Sequence, residues 1–205
     1  MHIWPKLSAA LHPADRPSPP SWCRCYETKF ALATLLQPKT IFEIGVRAGY
    51  SAFAFLHAIP TASYLGIDAN GDTHGGFRGA ILHARQLIAP FQAEVHEMTS
   101  AEFASRHDLH PSRGYDLIHI DGDHSFAGCL FDLRLARELG FRHLLVDDTS
   151  GIEYVRESCD QFAAEQTEGL TQIEIDDGHH GAILFHRTNN FTGEPGGVSP
   201  GVPPP

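Results

Sequence analysis

The sequence predicts an α/β protein: a doubly wound, seven-stranded sheet, mostly parallel, with one antiparallel strand supplied by a C-terminal hairpin. Three observations carry this. From Thr40 onward, apolar β-branched runs alternate with segments of helical spacing across short connections, the pattern of a parallel sheet. The first run ends in a glycine-bearing turn, Gly45-Val-Arg-Ala-Gly49, and the second ends in an acid, Asp68. The last two runs, 171–176 and 181–186, are joined only by Asp177-Gly-His-His, too short for a crossover helix.

Taken in order, residues 1–37 form an N-terminal arm and helix. Pro5, Pro13, Pro17, Pro19 and Pro20 predict an irregular arm outside the core, followed by a helix over 26–36 closed by Pro38. A single domain is expected over 38–188. Its strands fall at 40–46, 63–68, 92–97, 115–121 and 142–147, and its helices near 50–59, 77–89, 100–106, 126–139 and 150–166. The stretch 41–46 is apolar on both faces, as a covered strand should be. Residues 189–205, rich in Gly and Pro, predict a disordered tail.

Bulk properties narrow the function. A chain of 205 residues, 42% hydrophobic, suits one globular domain with a sizeable core. A net charge of −10 without a Lys/Arg cluster argues against a nucleic-acid groove. No stretch approaches the ~20 apolar residues of a membrane span, and the start lacks a signal-peptide pattern, so the expected location is cytoplasmic. Cys23-Arg-Cys25 has no second ligand pair at finger spacing, while Cys129 and Cys159 fall on predicted helices as ordinary buried thiols.

The chemistry gathers at the strand ends. In an open parallel sheet, ligands bind outside the carboxyl ends of the strands. Glu43-Ile-Gly45 through Gly49 is neither the dinucleotide fingerprint nor a P-loop, because no third glycine and no Gly-Lys-Ser/Thr follows. Asp68 lies roughly 20 residues past the glycines, where such sheets place an acid on a ribose diol; as a plain structural residue it would begin a turn. Asp121-Gly-Asp123-His124-Ser125 ends the fourth strand and Asp147-Asp148 ends the fifth. Carboxylates converging there repel one another unless a cation sits among them. A hard divalent ion is the natural neutraliser, with Asp121, Asp147 and Asp148 as candidate ligands and His124 as candidate general base. The structural alternative is helix capping: Asp123 or Ser125 ahead of Phe126, and a capping box formed by Ser150 and Glu153.

With these residues assembled, the chain resembles the class I S-adenosylmethionine-dependent methyltransferases. Within them it is similar to the small bacterial cephalosporin-hydroxylase-like and macrolide sugar O-methyltransferases. The resemblance covers about 38–187 and rests on Phe42-Glu-Ile-Gly-Val-Arg-Ala-Gly-Tyr-Ser51, Ile120-Asp-Gly-Asp-His-Ser125 and Val146-Asp-Asp148. It implies a Rossmann-like fold, with S-adenosylmethionine held by Glu43, Gly45, Arg47, Gly49, Tyr50, Ser51, Asp68, Met98, Ser100 and Asp121. It also implies Mg2+ or another hard divalent ion on Asp121, Asp147 and Asp148. Relatives of the catechol type carry a catalytic lysine three residues after the first metal aspartate. His124 occupies that spacing here, as base or as substrate contact. The implied acceptor is a hydroxyl of a small molecule, with no nucleic-acid or membrane partner, and a second subunit, as in a homodimer, is one way to complete the pocket.

Two rivals stand beside this reading. Gly71-Asp-Thr-His-Gly75 matches the first block of binuclear metallophosphoesterases and Gly122-Asp123 the second, although the third block is absent. A non-catalytic cofactor-binding module is the other. His179-His180 sit on the hairpin turn at the crevice end of the sheet, as exposed turn residues or as a metal or substrate contact. Glu27 and Lys29 are placed to close over the cofactor from the N-terminal helix.

Overall fold

The computed structural model describes residues 2–71, 76–111, 114–166 and 169–188. The expected tail and most of the Gly71–Gly75 block lie outside them. Seven strands, β1 (Thr40–Ile44), β2 (Ser63–Asp68), β3 (Ala93–Glu97), β4 (Tyr115–Ile120), β5 (Phe141–Asp147), β6 (Leu170–Ile175) and β7 (Ala182–Arg187), form one sheet in the order β3-β2-β1-β4-β5-β7-β6. β1 to β5 are parallel, and β7 runs antiparallel to both β5 and β6. The sequence-level fold therefore stands. The switch between β1 and β4, where the strand order reverses, opens a crevice at their carboxyl ends.

Alternation along the strands fills both faces. Phe42, Ile44, Ile118 and Ile120 pack on one face with α6 (Phe126–Leu139) and α7 (Glu153–Ala164), through Cys129, Leu133, Cys159 and Phe162. Ile41, Leu117 and Leu145 pack on the other with α2 (Ser21–Leu36), α3 (Tyr50–Ala58) and α4 (Ala80–Ile88), through Ala33, Phe55, Leu56 and Ala84. A short helix α5 (Ser100–Ser105) follows β3, capped reciprocally by Thr99 and Glu102. Among the described residues, no helix is long and apolar enough to cross a membrane.

The N-terminal segment departs from the expected irregular arm. Trp4–Ala10 is helix α1 and Ser21–Leu36 is a full α2, because Pro5, Pro13 and Pro20 sit at helix starts, where their missing N–H costs nothing, while Pro17 and Pro19 fall in the stretch between the helices. Ile3, Leu7 and Leu11, spaced four apart, bury one stripe of α1 against Tyr50, Phe53 and Ala80. α7 also starts later than expected, at Glu153. Ser150 and Gly151 give their backbone N–H groups to the His180 carbonyl at 2.7 and 2.9 Å, so no Ser150 cap forms. At α6 the Ser125 cap does form, its hydroxyl accepting from the Gly128 N–H.

Candidate active site

A cavity of about 420 Å³ opens at the switch between β1 and β4. Its volume falls in the usual range for small-molecule sites. Six expected cofactor residues line it: Gly45, Arg47, Asp68, Met98, Ser100 and Asp121. The loop after β1 is shaped by backbone constraint. Gly45 has φ +88°, and a Cβ there would lie 1.9 Å from the Asp121 carbonyl oxygen. Any side chain would push the ends of β1 and β4 apart. Gly45→Ala is accordingly expected to destabilise the fold by about 3 kcal/mol or more, combining left-handed strain with overpacking, as measured by urea unfolding.

Asp68 anchors the same loop. Its Oδ2 accepts the Arg47 N–H and its Oδ1 the Asn70 N–H, both at 2.6 Å. It thus begins a turn and lines the cavity at once. The Arg47 side chain reaches outward to Asp15, at 2.5 and 3.2 Å, and the Tyr50 hydroxyl donates to the same carboxylate at 2.6 Å. The N-terminal segment is in this way tied to the cavity rim.

Glu43, Gly49, Tyr50 and Ser51 do not line the cavity. A Cβ on Gly49 would meet Ala84 at 2.9 Å, so the close approach there is helix packing. Tyr50 packs among Trp22, Tyr26 and His83. Glu43 is fully buried behind the loop, where it accepts from the Ser51 and Tyr64 hydroxyls and contacts His119 Nδ1 at 2.9 Å.

The acid cluster divides in two. Asp147, the last residue of β5, points with Leu145 toward α2 and meets Lys29 Nζ at 2.6 Å. Both side chains are almost wholly buried. His119 Nε2 lies 3.7 Å from the same carboxylate, so Glu43, His119, Asp147 and Lys29 form a buried line of alternating charge beneath the crevice. Burial alone would raise the Asp147 carboxyl, but Lys29 and His119 hold it well below the ordinary range. Burial likewise opposes charging of His119, yet Asp147 and Glu43 lift it to about 9. Lys29 does not close over the cavity as expected. It pairs with Asp147 instead, and Asp147 is not among the described residues whose ligand atoms gather within 4.8 Å of one another.

Asp148 turns the other way. Its left-handed φ of 61° swings the carboxylate toward His124 Nε2 at 3.4 Å and His180 Nδ1 at 3.2 Å. His124 Nε2 is also 3.4 Å from Asp121 Oδ1. Asp121, His124 and Asp148 therefore present ligand atoms within 4.8 Å of one another, and Asp148, His179 and His180 do the same on the exposed side. His179 stacks on His180 and contacts the Ser21 hydroxyl at 2.9 Å. Desolvation, then the Asp147 and Asp148 charges, push the Asp121 carboxyl up. Burial lowers His124, but Asp121, Asp148 and Asp123 more than restore it, for a net rise.

A family model described as a methyltransferase domain matches residues 42–147, just over half of the chain. The chain belongs to this methyltransferase family. The match spans the glycine loop, Asp68, the β4 acids and Asp147. Among solved structures, the methyltransferase is similar to TomG from Streptomyces achromogenes, an O-methyltransferase of tomaymycin synthesis in complex with SAM. That likeness has a TM-score of 0.68 at 19% identity, over 92% of this chain and 90% of that one. It is similar to the O-methyltransferase from Bacillus cereus in complex with SAH, with a TM-score of 0.65 at 17% identity over 90% and 88%. Cofactor-bound Rv0187 from MTB gives 0.62 at 19% over 90% and 87%. No curated protein matches the sequence. Family membership replaces the phosphoesterase and non-catalytic readings.

The methyltransferase also has site residues that the sequence reading passed over. Asp132, on α6, lines the cavity although it lies far from any strand end. His119 was passed over too, and it joins Lys29 and Asp147 in the charge line under the cavity. Alternation in β4 gave a signal for His119, since it shares a face with Leu117 inside a covered strand and needs a buried partner there.

Proposed function

We propose that this enzyme, an S-adenosylmethionine-dependent O-methyltransferase, methylates a hydroxyl of a small molecule in the crevice between β4 and β5. One observation carries the reading: Asp121 is shared between the cavity and the His124–Asp148 cluster. A cofactor in the cavity and a base in the crevice are therefore neighbours. The cavity residues fit the cofactor in kind, with the Asp68 carboxylate for a ribose diol and an apolar wall of Ile44, Ile67, Phe77 and Met98. When bound, S-adenosylmethionine supplies an electrophilic methyl group on a sulfonium.

The chain's own residues do the rest. The imidazole of His124, whose Nε2 faces Asp121 and Asp148, receives the proton of the substrate hydroxyl on its other ring nitrogen as the hydroxyl oxygen gains the methyl group. Asp121 and Asp148 stabilise the imidazolium that results, the role carboxylates play beside other general-base histidines. The crevice walls hold the hydroxyl in line, which is where proximity contributes most.

For a divalent ion, Asp121 and Asp148 are the oxygen ligands that this geometry favours, with His124 beside them and Asp147 excluded by Lys29. Such an ion, Mg2+ or a similar hard cation, would lower the pKa of a hydroxyl that it bound. Calorimetry with S-adenosylmethionine, run with and without magnesium, tests both parts. One binding event without metal and a second that needs it are expected, and Asp148→Ala should erase the second alone. Methyl transfer unaffected by chelator would remove the ion from the reaction.

A further inference from the structure

The hairpin turn between β6 and β7 carries two adjacent histidines that the methyl-transfer reading does not use. His179 and His180 do not line the cofactor cavity, and they meet Asp148 from its exposed side. The turn that holds them is fixed from several directions. Asp177 is buried, and its Oδ1 accepts the backbone N–H groups of His179 and Gly181, both at 2.9 Å. The His180 carbonyl accepts the Ser150 and Gly151 N–H groups, and a Cβ on Gly151 would lie 2.5 Å from the His180 ring, so the ring packs directly on the loop after β5. From α2, the Ser21 hydroxyl contacts His179 Nδ1 at 2.9 Å and Arg24 donates to the Asp176 carboxylate at 3.1 Å. Groups held in place before a ligand arrives bind it at lower cost.

Asp148 divides its carboxylate between two sets. Its Oδ2 faces His124 at 3.4 Å, and its Oδ1 faces His180 Nδ1 at 3.2 Å. The His179 and His180 rings stack with centroids 4.0 Å apart, and their ligand atoms and an Asp148 oxygen lie within 4.8 Å of one another. Two imidazoles with one carboxylate differ in kind from the oxygen ligands of the crevice. Imidazole suits Zn2+ and its neighbours, whereas carboxylate and water suit Mg2+. Three protein ligands also leave the fourth position of a tetrahedral ion open. Zinc bonds of about 2.0–2.2 Å need the ligand atoms to draw closer, which rotation of the two exposed rings supplies. We propose that Asp148, His179 and His180 form a second cation site, which takes Zn2+ or a similar imidazole-preferring divalent ion and ties the hairpin turn to the end of β5. The site stands apart from the hard-ion set and does not depend on the S-adenosylmethionine reading.

The test is a Zn2+ titration read by calorimetry, on the full chain without an affinity tag, stripped by chelator and held in excess Mg2+. Wild type is expected to bind its tightest Zn2+ here. His179→Ala and His180→Ala should each weaken that event by about 10-fold or more, since losing even an outer partner of a metal ligand costs that much. The turn is held through its backbone and Asp177, so both variants should bind S-adenosylhomocysteine as wild type does. Asp121→Asn should leave the Zn2+ event within about 3-fold, because Asp121 takes no part in the histidine set. Zn2+ should also raise the thermal midpoint of wild type and not that of His180→Ala. No Zn2+ event in wild type, or one that survives both histidine substitutions, overturns the proposal. An event lost in Asp121→Asn and kept in His180→Ala overturns it too, by placing the ion in the crevice. The cofactor reading fails separately, if wild type does not bind S-adenosylhomocysteine.

Discussion

His124→Gln is expected to lower kcat by about 10²- to 10⁴-fold, the usual contribution of a positioned general base, while S-adenosylhomocysteine binds as in wild type. The reason lies in where the ring sits. Its Nε2 is 3.4 Å from carboxylates on two different strand ends, Asp121 and Asp148, and the ring itself does not line the cavity. Losing it removes the proton acceptor without touching the cofactor wall. The pH profile carries a further sign. Burial disfavours the charged ring, but the surrounding carboxylates favour it more strongly, so its pKa lies above the ordinary histidine value. A base works only when neutral. The acidic limb of kcat/KM should therefore rise with pH and level off above the usual histidine range of about 6.5. Asp148→Asn, which removes one of the charges, should move that limb toward lower pH. A profile flat from pH 6 to 9 in wild type, with full activity in His124→Gln, would exclude the histidine as base.

The fold was legible because it depends on patterns that a linear chain displays. Alternating apolar periods gave five parallel units, and a four-residue connection allowed only a hairpin at the end. The candidate site was legible in part, since loop chemistry at strand ends is also local. Gly45, Asp68, Met98, Ser100 and Asp121 meet at one cavity. What was not legible depends on direction. Asp147 and Asp148 are adjacent in sequence, and read as a pair they suggest one ion. The strand ends at Asp147, however, and the left-handed backbone of Asp148 turns its side chain away, so the first joins Lys29 while the second joins His124. The partner of Asp147 comes from a helix more than a hundred residues earlier, and no spacing rule links the two. Asp132 was hidden for a similar reason: on a helix it reads as a solvated acid until packing shows it facing inward. The prolines of the first twenty residues misled because they were counted as breakers. The positions of Pro5, Pro13 and Pro20 at helix starts, together with the Ile3-Leu7-Leu11 stripe, were the stronger signal.

Lys29→Met is expected to cost about 3–5 kcal/mol of folding stability, a large share of what a domain of this size has to lose. The substitution keeps the apolar stem of the side chain and deletes only the ammonium, so the loss reports the buried charge that it abandons. Asp147 would then face His119 alone, at 3.7 Å, with its Oδ1 already lacking a hydrogen-bond partner. The pH dependence separates this from a simple packing defect. In wild type the folded-state pKa of His119 is raised to about 9, so its contribution is complete below the unfolded value near 6.5 and fades as pH rises through about 9. The Asp147 pKa is lowered, so its contribution is present above the ordinary carboxylate value near 4 and fades as pH falls. Wild-type stability should accordingly be greatest between about pH 4 and 6.5 and decline toward pH 9. In Lys29→Met, the lone carboxylate depends still more on a charged His119, so urea midpoints at pH 6 and pH 9 should differ more than in wild type. A loss below about 1 kcal/mol, with no steepening toward pH 9, would mean that Asp147 is neutralised by something other than Lys29. Its exclusion from the ion site would then have no physical basis, and the three-aspartate arrangement would have to be considered again.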